Sequence, residues 1–155
     1  MPLEQLQEIF TKHRHDGIDG SQKIRKQFLI TTQLVGALPA TATNYEIFFI
    51  NTHTKALKVV AISEVHRVAG SDAGAVTLQI ERLQGTEALD AGDPLLVAGF
   101  NLKGTANTVV RKGLADLTAT KTLLILSQGD RLALDDAGTL ADVAGLTVTV
   151  LVEEI

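Results

Sequence analysis

The chain has 155 residues, the size of a single domain that can bury its own core without disulfides or structural metal. Hydrophobic residues make up 45% and charged residues 21%, a balance that excludes a disordered chain, and a net charge of −4 provides no global field for the phosphates of nucleic acid. There is no cysteine, which removes thiol nucleophiles, thiolate metal sites and disulfides; no apolar run approaches the ~18 residues of a membrane span, and the start MPLEQLQEIF lacks the basic and apolar regions of a signal peptide.

Seventeen threonines against four serines, thirteen glycines and three prolines are the vocabulary of strands with threonine-bearing faces joined by glycine turns. Aromatic residues at 4% leave an aliphatic core, and they offer few platforms for stacking sugars or bases.

Residues 1–27 read as a unit distinct from the body at 28–155. Leu3, Leu6, Ile9 and Phe10 recur at three- and four-residue spacing, which predicts a short amphipathic helix with Pro2 in its first turn. A helix this short is marginal alone, so its apolar stripe docks either on its own domain or on a partner chain. The following HRHDGIDGSQKI holds two Asp-Gly turns, at 16–17 and 19–20, in an extended linker. Residues 1–27 together carry one net positive charge, against −5 for the body.

From Phe28 the chain predicts about nine strands: 28–36, 45–51, 56–68, 75–84, 94–102, 108–117, 121–126, 130–135 and 145–154. Alternation is cleanest where Val76, Leu78 and Ile80 oppose Thr77, Gln79 and Glu81, and where Leu146, Val148, Val150 and Val152 oppose Thr147, Thr149 and Glu153. The run Val59–Ile62 is apolar on both faces, so its middle is expected to be covered by a facing sheet and by a neighbouring subunit or the N-terminal arm. Ile47, Phe48, Phe49 and Ile50 form a second unbroken apolar run, assigned as the oligomer contact, with capping by the chain's own loops as the alternative. The segment TLADVA is read as loop, with one helical turn as a minor alternative. Strands at this spacing with no helix between them predict an all-β, antiparallel two-sheet sandwich, jelly-roll-like, behind the N-terminal helix and linker.

Candidate chemistry is sparse. None of the four serines sits in a glycine-flanked elbow, no glycine loop with a lysine cradles phosphate, and no HExxH pattern is present. No catalytic residue and no cofactor are assigned. His13 and His15 point the same way in an extended segment, and three copies on a threefold axis offer six nitrogens, enough for an octahedral metal. The alternative, on which no metal is assigned, is local hydrogen bonding, with Asp16 and Asp19 stabilising the turns. Glu64, His66 and Arg67 are read as decorating a wet strand face or a subunit contact, and the acidic loop 87–93 as a solvated turn.

The strings AISEVHRVAGSDAGAVTLQIERLQGTEAL, FNLKGTANTVVRKGL and LSQGDRLALDDAGTLADVAGLTVTV together resemble small structural proteins of tailed-bacteriophage virions. The segment HRHDGIDGSQKI is similar to the His-x-His-Asp-Gly stretches that precede β-rich modules in phage fibre, baseplate and capsid-surface proteins. The resemblance implies a non-enzymatic virion component, assembled in the host cytoplasm, that decorates or stabilises the capsid as a homotrimer, as capsid-decoration and head-fibre modules do. On this reading it contacts other virion proteins, with Leu3, Leu6, Ile9 and Phe10 as the anchor, and neither nucleic acid nor membrane. A tail-fibre or baseplate module that binds a glycan receptor is the alternative.

Overall fold

A computed structural model describes residues 25–38, 46–138 and 140–155; the expected N-terminal helix, its anchor residues and His13 and His15 lie outside them. Among the described residues ten antiparallel strands form two sheets. The first sheet holds β1 (Gln27–Ala37), β10 (Ala144–Glu154), β3 (Leu57–Val65) and β7 (Val110–Lys112) in that order, with β8 (Ile125–Leu126) pairing the other end of β3. The second holds β2 (Ile47–Ile50), β9 (Arg131–Gly138), β4 (Val76–Leu83) and β5 (Asp93–Pro94), with β6 (Phe100–Asn101) also on β4.

The first and last strands pair, from Gln27 opposite Glu153 to Leu34 opposite Leu146. Their alternating apolar residues Ile30, Leu34, Leu146, Val148, Val150 and Val152 point inward and meet Val76, Leu78, Ile80, Leu132 and Leu134 of the second sheet. The core is aliphatic as expected: Phe100 is its only fully buried aromatic among the described residues, and Phe28, Phe48 and Phe49 pack at its margin.

Three predicted strands shrink. In 94–102, Pro94 has no N–H to give a ladder and Gly99 runs so close to β4 that a Cβ there would lie 2.8 Å from the Leu78 carbonyl oxygen, leaving only β5 and β6. In 108–117 the strand stops at Lys112, because the Gly113 N–H bonds Asp116 Oδ2 (3.0 Å) and the Asp116 N–H bonds the Gly113 carbonyl (2.9 Å), closing a turn. The segment 121–126 opens with a 3-10 turn, Lys121–Leu124, before β8. Conversely β9 runs on to Gly138, three residues past its predicted end. The segment around Ala141 makes a tight turn, with the Val143 N–H on the Leu140 carbonyl and Asp142 at φ +65°.

A bulge in β3 has the widest consequences. Ala61 lies opposite Leu151 and Val59 opposite Val152, so Val60 is an extra residue with no partner on β10. The insertion reverses the inward parity: Leu57 and Val59 face the core before it, and Ile62, Glu64 and His66 after it. Val60 is half-buried on the outer side. Glu64 and His66, expected on a wet face, are thereby carried inside, each 1% exposed.

Candidate interaction surface

On the outer face of the first sheet, strand register arranges the side chains in rows. Leu29 and Leu151 lie side by side near Val60; Thr31, Thr149 and Ser63 form the next row; Gln33, Thr147 and Val65 form the third. The threonine hydroxyls of Thr31 and Thr149 are 3.2 Å apart, an exposed cross-strand hydrogen bond. Arg111 of β7, opposite Ser63, extends the second row and brings its one charge; the other residues named in these rows are uncharged. Charge gathers at the ends: Arg25 pairs with Glu153 (2.6 Å), Lys58 lies 3.4 Å from the same carboxylate, and Lys55 pairs with Glu154. Beyond the third row an open groove of about 410 Å³ is lined by Gln33, Val35, Val65, Arg67, Asn107 and the glycines 36 and 145. Gly145, at φ +62°, lets the Arg67 side chain lie across the backbone, since a Cβ there would meet Arg67 Cβ at 2.9 Å.

Beneath this face lies the Glu64–His66 pair. His66 Nδ1 is 3.1 Å from Glu64 Oε2, and Nε2 is 3.3 Å from the carbonyl oxygen of Gly104. The Asn107 N–H donates to the His66 carbonyl (2.7 Å). Burial pushes the Glu64 carboxyl up, and His66 beside it pulls the other way. Ser63, on the opposite side of the strand, cannot join these two in a nucleophile–base arrangement, and their burial keeps them from touching a substrate.

The second sheet carries its own buried polar groups. Glu81 accepts the N–H groups of Asp90 (3.0 Å) and Gly92 (2.9 Å), pinning the 84–92 loop. The Arg82 guanidinium donates to the carbonyls of Thr122 (3.2 Å) and Ile125 (3.0 Å), to Gln84 Oε1 (3.1 Å) and to Asp93 Oδ2 (2.8 Å). Asn51, fully buried, donates to the Leu126 carbonyl (2.9 Å), and its Oδ1 accepts the His53 N–H (3.0 Å). Asp135 is pushed up to about 6 by burial and then by the charges of Glu81, Asp90 and Asp136. Glu81, Arg82 and Asn51 each bind backbone groups and act as staples. Among the described residues no group of three or more His, Asp or Glu side chains is placed to hold a metal ion.

The assigned oligomer contact is split by the structure. A bulge at Phe48 accompanies the packing of both Phe48 and Phe49 on the protein's own core, while Ile47 (39%) and Ile50 (54%) remain exposed. Glu81, read as the wet face of its strand, is buried by the 84–92 loop that its carboxylate pins, and Arg82, to which the sequence reading gives no role, is buried against the 122–125 segment that it binds.

No family model matches the chain, and no curated protein matches it. Among solved structures, one from the capsid of Ralstonia phage GP4 aligns with a TM-score of 0.55 at 19% identity, covering 85% of this chain and 84% of that one. At this identity the likeness is one of fold.

Proposed function

We propose that this protein is a non-enzymatic structural component of a tailed-phage virion, whose β body sits on the capsid surface and whose residues 1–27 attach it there. The observation that carries the reading is the fold likeness, over 85% of the chain, to a chain in a phage capsid structure. It agrees with polar side chains that are spent on pinning loops rather than gathered in an open cleft. The body assembles as a homotrimer through exposed apolar residues including Ile47 and Ile50. Leu3, Leu6, Ile9 and Phe10 supply the anchoring contact to another virion protein, each worth about 1.5–3 kcal/mol if fully buried, before ordering costs.

The test uses the full chain with all four anchor residues changed to serine, added to particles depleted of the native protein. The expected result is lost attachment with an unchanged β-type circular dichroism spectrum and unchanged oligomeric state. Attachment equal to the parent's moves the docking surface to the β body. Adhesion to host envelope glycans, with no affinity for capsids, favours the tail-fibre or baseplate alternative.

A further inference from the structure

The Glu64–His66 pair sits between the sheet and the loop at 103–107, and its hydrogen bonds impose a proton count. Both ring nitrogens face oxygen acceptors, the Glu64 carboxylate on Nδ1 and the Gly104 carbonyl on Nε2. A neutral imidazole has one N–H and can serve only one of them. Both contacts are satisfied when the pair holds one proton beyond a carboxylate and a neutral ring: an imidazolium facing a carboxylate, or a Nε2–H ring facing a protonated Glu64. In either arrangement Nε2 carries the hydrogen that reaches Gly104, and the pair has no net charge.

Burial favours that neutral count, because removing the proton leaves a single negative charge inside the protein. Val148 on β10 and Val110 on β7 lie opposite Glu64 and bring no charge. The charged neighbours on the packed elements are turned elsewhere. Arg111 pairs with Ser63 on the outer face, Lys112 donates to the Ala98 carbonyl, Lys103 donates to the Gly74 carbonyl, and Arg67 lies in the groove. Burial pushes the Glu64 carboxyl up, and the pull in the other direction comes from its hydrogen-bond partner His66.

From this geometry we infer that Glu64 and His66 form a proton-operated latch, which holds the loop at 103–107 against the sheet and releases it when the shared proton is lost. After that loss the remaining ring hydrogen goes to Nδ1, where it makes a charge-assisted bond to the carboxylate, and Nε2 turns a lone pair toward Gly104. The consequence reaches the surface, because Asn107, at the end of this loop, forms one wall of the groove beside Arg67 and is tied to the His66 carbonyl. The latch is independent of the virion assignment.

The test is made on the full chain by 15N NMR of the histidine ring and by millisecond pulse-labelling hydrogen exchange, corrected for intrinsic rates. As the pH is raised from neutral, loss of the pair's shared proton is expected to strip Nε2 of its hydrogen while exchange at 103–107 rises at least about tenfold relative to strand amides. Glu64→Gln should abolish the pH dependence and keep the loop closed, because an amide N–H can donate to Nδ1 and leave Nε2–H for Gly104 with no extra proton. A bare Nε2 at neutral pH, loop exchange that does not change up to about pH 10, or a Glu64→Gln protein that opens along the parent's curve would each overturn the latch. The first two outcomes need only the parent protein, so poor folding of the variant leaves the test decisive.

Discussion

Replacing Arg82 with alanine should loosen the contact between the two sheets at one defined place. Arg82 belongs to β4 of the second sheet, yet two of its four hydrogen bonds go to Thr122 and Ile125, in the 3-10 turn and the β8 strand of the first. A hydrogen bond from a charged donor is worth about 1.5–3 kcal/mol when sheltered. The ion pair to Asp93 is worth less, about 1 kcal/mol at most, because the Asp93 side chain is 40% exposed. The carbonyl bonds, with the packing of the arginine stem, therefore dominate, and Arg82→Ala should cost about 3–4 kcal/mol in urea denaturation, a fall in Tm of roughly 6–14 °C for a domain of this size. Arg82→Lys keeps the charge but cannot fork to both carbonyls, and should recover less than half of the loss. Hydrogen exchange should accelerate at 121–126 before it does in β10. The reasoning is refuted if Asp93→Ala costs as much as Arg82→Ala, which would mean that the ion pair, not the bolt between sheets, holds the arginine.

Asp135→Asn should stabilise the protein at neutral pH by about 1 kcal/mol after screening is allowed for, read as a higher Tm. The folded value of about 6 lies above the ordinary 3.8, so ionised Asp135 weakens the fold above that window, and the advantage of the variant should shrink as pH falls from about 6 to about 4. Asn51→Ala strands the Leu126 carbonyl and the His53 N–H and should cost about 2–3 kcal/mol by chemical denaturation. Changing Ile47 and Ile50 together to serine should leave the monomer fold intact, since both are exposed, and shift sedimentation toward monomer; an unchanged oligomer would place the contact elsewhere.

The long strands are legible where their period-two patterns survive unbroken: Val76 to Ile80 and Leu146 to Val152 face the core as read. The short strands were less so. Pro94, Gly99 and Gly113 interrupt apolar stretches whose composition alone resembles strand, and only the backbone contacts they make show where pairing ends. Glu64 and His66 are misplaced for one reason: a period-two reading assumes no inserted residue, and Val60 is an insertion with no compositional mark, so the two side chains expected on a wet face turn inward. Glu81 and Arg82 are hidden for another reason: the 84–92 loop folds back over Glu81, and Arg82 meets a segment some forty residues on.

Immunogold labelling of purified virions, with antibody raised against the β body, tests the central claim most directly. The account predicts that the protein co-purifies with complete particles and that gold decorates the outer surface of the head. Particles that carry no gold, with the protein found only in the soluble lysate, would contradict it.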